Sequence, residues 1–258
     1  MERPTEQRTT LRVDAATELE RVVALRDQFE SHRTIAPIYG SVCWEDRRIA
    51  HIGERPVATA GTKLAVALDH ALMLRQLVVE DRLLPIWSHY TLARPILEAS
   101  VQARWLMDPT VTTEVRIGRA VGAALEDLDW SRKVTDELAA GGLMAPTTKS
   151  ADRAAEVAKQ AKDANIAPIQ MLDTTSLLGR YGLFPNQADS ILWRYLSGVL
   201  HMQMWAALQG STKHYSGDAH SFQHHEADDD MSANAVVASI KHLAEAVMAH
   251  SAYLEPQR

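Results

Sequence analysis

Three polar side chains, with Gln203 beyond them, interrupt the most apolar stretch of this chain. Arg194, Ser197 and His201 stand within residues 191–205, Ile-Leu-Trp-Arg-Tyr-Leu-Ser-Gly-Val-Leu-His-Met-Gln-Met-Trp. On a helix, at ~100° per residue, seven residues return to within about 20° of the starting direction and rise roughly 10 Å, so Arg194 and His201 share one stripe with Ser197 between them. Their neighbours are apolar on nearly every face, which predicts a central, buried helix over residues 186–209. A guanidinium and an imidazole in such a helix are costly unless a carboxylate or a substrate phosphate meets them. The chemistry open to the pair is proton transfer by an imidazole that titrates near neutrality, with a guanidinium holding charge on a phosphate. The plainer reading pairs Arg194 with a carboxylate such as Glu98, and His201 with a backbone carbonyl or Ser197.

The elements that must hold this stripe also read as helices. Leu19, Val22, Val23 and Phe29 predict a helix over residues 16–30. Residues 37–61 hold Pro37, Gly40, Gly53, Pro56 and Gly61 and read as irregular: a hairpin around 41–52, a lid or a linker. Thr62 is the expected N-cap of a helix carrying Leu64, Leu68, Leu72 and Leu74 and stopped by Pro85. Residues 86–107 contain Pro95, where a kink is expected because proline removes a hydrogen bond and crowds the preceding turn. Asp108-Pro109 reads as N-cap and first position of a long helix, with Val115, Gly118, Val121, Leu125 and Leu128 inward and Gly141-Gly142 as its stop. An alanine-rich helix over 150–164 and a short one capped by Asp173 follow. Asn186 with Asp189 resembles a capping box, and Gly210 ends the apolar helix. Ser232 is the expected cap of a last helix in which Val236, Ile240, Leu243 and Val247 repeat. The pattern predicts an all-α antiparallel bundle of five or more long helices with no strand pair, divided into a segment 1–61 and a bundle domain 62–258.

Arg-x6-His at Arg194 and His201 resembles the signature of the HEPN superfamily, α-helical bundles found in prokaryotic toxins and defence proteins. Residues 92–109, with Arg94, Glu98 and then Arg104-Trp105-Leu106, resemble the Arg-x3-Glu…Arg-Trp-Leu pattern of a poorly characterised bacterial branch related to HEPN domains. The resemblance implies metal-independent RNA cleavage, with His201 as general acid and base and Arg194 as phosphate stabiliser. It also implies a homodimer in which two motif helices meet. Tyr195 stands where RNA-cutting members commonly have a polar residue. Ser197, Tyr195, Arg94, Glu98 and Arg104 are the expected supporting or binding side chains. Arg94 and Glu98, one turn apart at Pro95, also read as an internal ion pair reaching toward Arg194.

Asp69, His70 and His89 form a further polar set. The loop with His220, His224, His225, Glu226 and Asp228 to Asp230 carries metal-ligand types, but no ligand geometry is set by its spacing, and no metal or other cofactor is expected.

Composition sets the outer limits. The chain has 258 residues, 46% hydrophobic and 23% charged, as ordinary globular domains do. A net charge of −6 excludes wrapping long nucleic acid by charge alone. The single cysteine, Cys43, excludes an internal disulfide and any multi-cysteine metal site. Glu-x-x-His pairs, a Walker A loop and a dinucleotide fingerprint are absent. The polar start and the lack of ~20 uncharged apolar residues in a row predict a cytoplasmic protein with no membrane partner. Beside a toxin- or defence-type ribonuclease stand two other classes: a non-catalytic helical module that binds a nucleotide, small molecule or protein, and a small-molecule enzyme built around a pocket in the bundle.

Overall fold

The computed structural model describes residues 5–33, 36–49, 51–81, 87–145, 147–201, 203, 211–214, 224–227 and 229–256. Along the chain run α1 (Thr5–Arg33), α2 (Val42–Arg47), α3 (Arg55–Arg75) closing in a π-turn (Gln76–Glu80), α4 (Ser88–Leu106), α5 (Thr113–Ala140), α6 (Lys149–Asp163), α7 (Thr174–Tyr181) and α8 (Ala188–Leu200). A ribbon of β1 (Ser211–His214) and β2 (His224–Ala227) precedes α9 (Asp229–Leu254). The class is all-α, with helices packed on one another as the hydrophobic spacing predicts. The chain divides into two compact units: one of Met1–Arg33, Lys63–Gln102 and Thr174–Met248, the other of Thr34–Thr62, Ala103–Asp173 and Ala249–Arg258.

In the first unit the apolar stripes fall where their spacing puts them. Leu19, Val22, Leu25 and Phe29 of α1, Leu64, Leu68, Ala71 and Leu74 of α3, and Val236, Ile240, Leu243 and Val247 of α9 are all buried. Hydrogen bonds tie α4 to α9: the Tyr90 hydroxyl lies 3.2 Å from Ser232 Oγ, and Ser239 Oγ donates to the Ala93 carbonyl at 3.0 Å. α4 runs through Pro95, so the Thr91 carbonyl lacks its helical donor.

The second unit is organised by Ile52, Ile117, Val121, Val157, Ala161 and Ile166, with Leu125 and Leu128 packed against them. The chain after α6 crosses α5 at two glycines. Ile169 donates its N–H to the Gly118 carbonyl at 2.8 Å. A Cβ on Gly122 would lie 2.0 Å from the Ile169 carbonyl oxygen, and one on Gly118 would lie 2.6 Å from that of Ala167. Gly122→Ala therefore pushes backbone off backbone, and denaturant melts should show a loss of about 1–3 kcal/mol. A variant as stable as the wild type would mean that residues 166–169 do not lie on α5.

Several expectations are corrected. Residues 41–52 form no hairpin: Ser41 caps α2 by accepting from the Trp44 N–H, and the chain then turns into α3 at Arg55. Thr62 lies inside α3 and donates to the Ala58 carbonyl. α5 begins after Thr112, whose hydroxyl accepts from the Val115 N–H, while Asp108 closes a separate turn on Thr110. Both choices satisfy exposed N–H groups, and the apolar pattern does not distinguish them. Ser232 is inside α9, its hydroxyl against that of Tyr90. A strand pair exists: β1 and β2 run antiparallel from Ser211 opposite Ala227 to His214 opposite His224. Residues 55–80 also have the length and mean hydropathy, 1.2 over the best window, of a membrane span, a test that a core helix passes equally.

Candidate functional site

The start of α8 is set by Asp189. Asn186 and Gln187 both take left-handed backbone, each with φ 58°, a conformation that asparagine tolerates and glutamine rarely adopts unless held there. Asp189 supplies the hold. Its Oδ2 accepts the N–H groups of Leu183 and Phe184, both at 3.0 Å, and its Oδ1 lies 2.7 Å from His242 Nε2. Gly182 leaves the room, since a Cβ there would sit 2.8 Å from Oδ2. The expected capping box is therefore replaced by a carboxylate that reaches back into the preceding loop.

Burial raises the Asp189 pKa, but the hydrogen bonds from His242, Phe184 and Leu183 outweigh it and hold the group below the ordinary aspartate range. A lowered folded pKa contributes stability that is complete above the unfolded value and is lost as pH falls through the folded one. Asp189→Asn should thus cost stability at pH 7 and show a smaller difference from wild type near pH 2. Urea midpoints at the two pH values check this, and an equal difference at both would refute it. His242 and Asp189 have the form of an oriented imidazole pair, yet both are in the core and His242 Nδ1 meets no hydroxyl or thiol among the described residues. They act as a clamp.

The stripe carrying Arg194 and His201 exists, and it faces outward. Tyr195, Leu196, Gly198 and Val199 form the inner side of α8, while Ile191 (62% exposed), Arg194, Leu200 and His201 are exposed and Ser197 is half-buried. The expectation of a helix buried all round is corrected: α8 has one inner face. It also ends sooner than expected, at Leu200, with the His201 N–H on the Ser197 carbonyl and the Gln203 N–H on that of Gly198. His201 thus stands at the C-terminal end of the helix. Trp205 and Gly210 lie outside the described residues, as does His220 in the loop with metal-ligand types. Among the described residues the side chains of Arg194 and His201 make no ion pair or hydrogen bond, and no group of three or more metal-ligating side chains gathers.

The remaining expected residues are placed elsewhere. Arg94 turns to Glu98 at 3.6 Å and lies over the Trp193 ring at 5.5 Å. Glu98 also accepts from the Thr174 hydroxyl at 3.1 Å. These contacts join α4 to α7 and α8 and leave Arg194 out, so the expected link from the Arg94–Glu98 pair to Arg194 does not form. Tyr195 is in the core, edge-on to Tyr90 at 5.4 Å. Arg104 belongs to the second unit and is half-buried. His89 is buried, Asp69 is exposed, and His70 bonds the Val66 carbonyl at 2.9 Å within its own helix.

Sequence reasoning missed the polar core of the second unit. Asp46 of α2 accepts Arg116 Nη2 at 2.7 Å and Nε at 2.9 Å, and also the Tyr253 hydroxyl, with all three residues buried. Arg119 donates to the Trp105 carbonyl at 2.7 Å, lies over its ring at 4.9 Å and approaches Asp108 at 3.6 Å. The available signal was two arginines inside the apolar first half of α5. An open recess of about 340 Å³ is lined by Pro37, Trp44, Arg47 and Arg48. Its two guanidiniums are already paired with Glu54 at 3.8 Å and Glu45 at 3.1 Å, which leaves it no net charge for an anion.

Set against protein-family models, curated proteins and solved structures, the chain matches none of them.

Proposed function

We propose that this protein is an HEPN-like, metal-independent RNA endonuclease of toxin or defence type, acting in the cytoplasm through the outward stripe of α8. The observation that carries the reading is that Arg194 and His201 share one exposed stripe and, among the described residues, spend neither side chain on an internal partner. Two turns of helix, roughly 10 Å, separate them, a span that the long arginine arm shortens when both turn to one sugar–phosphate link. His201 takes the proton of a ribose 2′-hydroxyl as that oxygen attacks the adjacent phosphorus. The bond from phosphorus to the 5′-oxygen breaks, and a proton passes back from the imidazole to the leaving oxygen. Arg194 holds the extra negative charge on the phosphate between these events. Ser197 lies between the two as a further donor to phosphate oxygens.

The test is cleavage of mixed single-stranded RNA pools by purified protein in EDTA. The wild type should cut, and Arg194→Ala and His201→Ala should not. No cleavage of any pool by the wild type would remove the reading.

Ile191 and Leu200, exposed on either flank of the stripe, favour a second reading, a non-catalytic module whose stripe docks a phosphate-bearing or protein partner. It expects no cleavage, with thermal stabilisation by phosphate-bearing ligands that is lost in Arg194→Ala.

A further inference from the structure

The start of α3 meets α6 through Ile52, which shares the core of the second unit with Val157 and Ala161. Arg55, the first residue of α3, follows, and its Nη2 donates to Gln160 Oε1 of α6 at 2.8 Å. Gln160 is itself held, donating from Nε2 to Glu156 Oε1 at 2.8 Å. It therefore fixes the Arg55 fork in place but brings it no charge. Among the described residues Arg55 makes no ion pair, and its Nε is buried with no acceptor. A second guanidinium stands close by. Arg153 precedes Glu156 by three residues and Gln160 by seven, which puts all three on one flank of α6, within about 60°. Arg153 is exposed and makes no hydrogen bond or ion pair among the described residues. Burial, and after it the charge of Arg153, hold Arg55 below the ordinary arginine pKa, and Glu156 offsets only part of this. Arginine does not shed its proton in response, so two cations face one carboxylate. The first turn of α3 has no acidic side chain, so the positive end of its dipole adds to the excess.

We propose that this corner of the second unit binds a phosphate-type oxyanion between the guanidiniums of Arg55 and Arg153. Such a ligand supplies what the corner lacks, an acceptor that carries negative charge. Arg55 offers its Nη edge, already aimed by Gln160, and Arg153 brings an unengaged arm to the other side. Planar forks take oxyanion oxygens two at a time, which selects a phosphoryl group over a halide. Glu156 borders the corner and limits the affinity, and the exposure of Arg153 makes binding fall as ionic strength rises. The site is independent of the α8 reading, since both arginines belong to the second unit and α8 to the first.

Calorimetric titration of the full chain with sodium phosphate, at ionic strength held constant with sodium chloride, tests it. One saturable site is expected. Arg55→Gln and Arg153→Gln should each raise its dissociation constant about tenfold or more, as loss of a hydrogen bond between charged groups does. Arg194→Ala should leave it unchanged. Arg153→Gln alters only an exposed side chain and should melt with the wild type, which separates binding from folding. Nucleoside 5′-monophosphates identify the source of the phosphoryl group: tighter binding than phosphate assigns the corner to a nucleotide, equal binding to the free ion. Absence of saturable binding overturns the proposal. So does binding that survives both substitutions, which would mean an adventitious ion only.

Discussion

Asp46→Ala should be among the most destabilising single changes in this chain, lowering stability by about 3–5 kcal/mol. The carboxylate is fully buried and receives two guanidinium bonds from Arg116 and one from the Tyr253 hydroxyl. Its removal leaves Arg116 charged in the core, with only the Asp108 and Val111 carbonyls and the Thr113 hydroxyl as acceptors. Burial lowers the Arg116 pKa, but the bonds and charge of Asp46 more than reverse this, so without Asp46 the cost of the charge is uncompensated. A double change to apolar residues, Asp46→Leu with Arg116→Met, should recover much of the loss, because neither charge is then buried alone. Chemical denaturation of the three variants decides it. An Asp46→Ala protein within about 1 kcal/mol of wild type would show that the network carries little.

The same region sets the alkaline limit. Burial pushes the Cys43 thiol from its ordinary 9.0 up to about 11, and burial beside Asp46 raises the Tyr253 hydroxyl as well. Folded values above the unfolded ones mean stability that is whole below pH 9 and declines as pH rises through the folded thiol value.

The second large effect concerns α8. On the proposed reading, His201→Ala lowers the rate of RNA cleavage by about 10²–10⁴-fold, the usual worth of a positioned proton-transfer group, and Arg194→Ala by about 10²–10³-fold. Neither change should move the melting temperature, since exchanges of exposed side chains leave stability within about 0.5 kcal/mol. The combination is diagnostic. A structural role would produce the opposite result, a lowered melting temperature with unchanged chemistry. Arg94→Ala supplies the contrast, because it breaks the contacts with Glu98 and Trp193 and should lower stability whatever happens to cleavage.

Much of the helical order was legible in the residues because burial of one face leaves a period. Val236, Ile240, Leu243 and Val247 repeat as a stripe and are buried as a stripe, and Gly141 follows the last residue of α5. The ends were less legible. Asp108, Thr112 and Thr113 are all capable caps, and only the turn closed by Asp108 on Thr110 decides that α5 starts later. The Arg194–His201 stripe was visible from its seven-residue spacing, whereas its direction was not. Apolar residues on nearly every face of residues 191–200 suggest full burial, but Ile191 and Leu200 are exposed.

By itself, then, the sequence determined the all-α class, the inner stripe of each long helix and the common face of Arg194 and His201, because these follow from spacing along one chain segment. Tertiary structure alone decided which charges go inside. Arg116 is stable in the core only because Asp46, seventy positions earlier, meets it there. Asp189 clamps the start of α8 only because His242, fifty-three positions later, reaches it. A buried charge is tolerated according to its partner's position in space, and hydrophobic periodicity carries no record of that position.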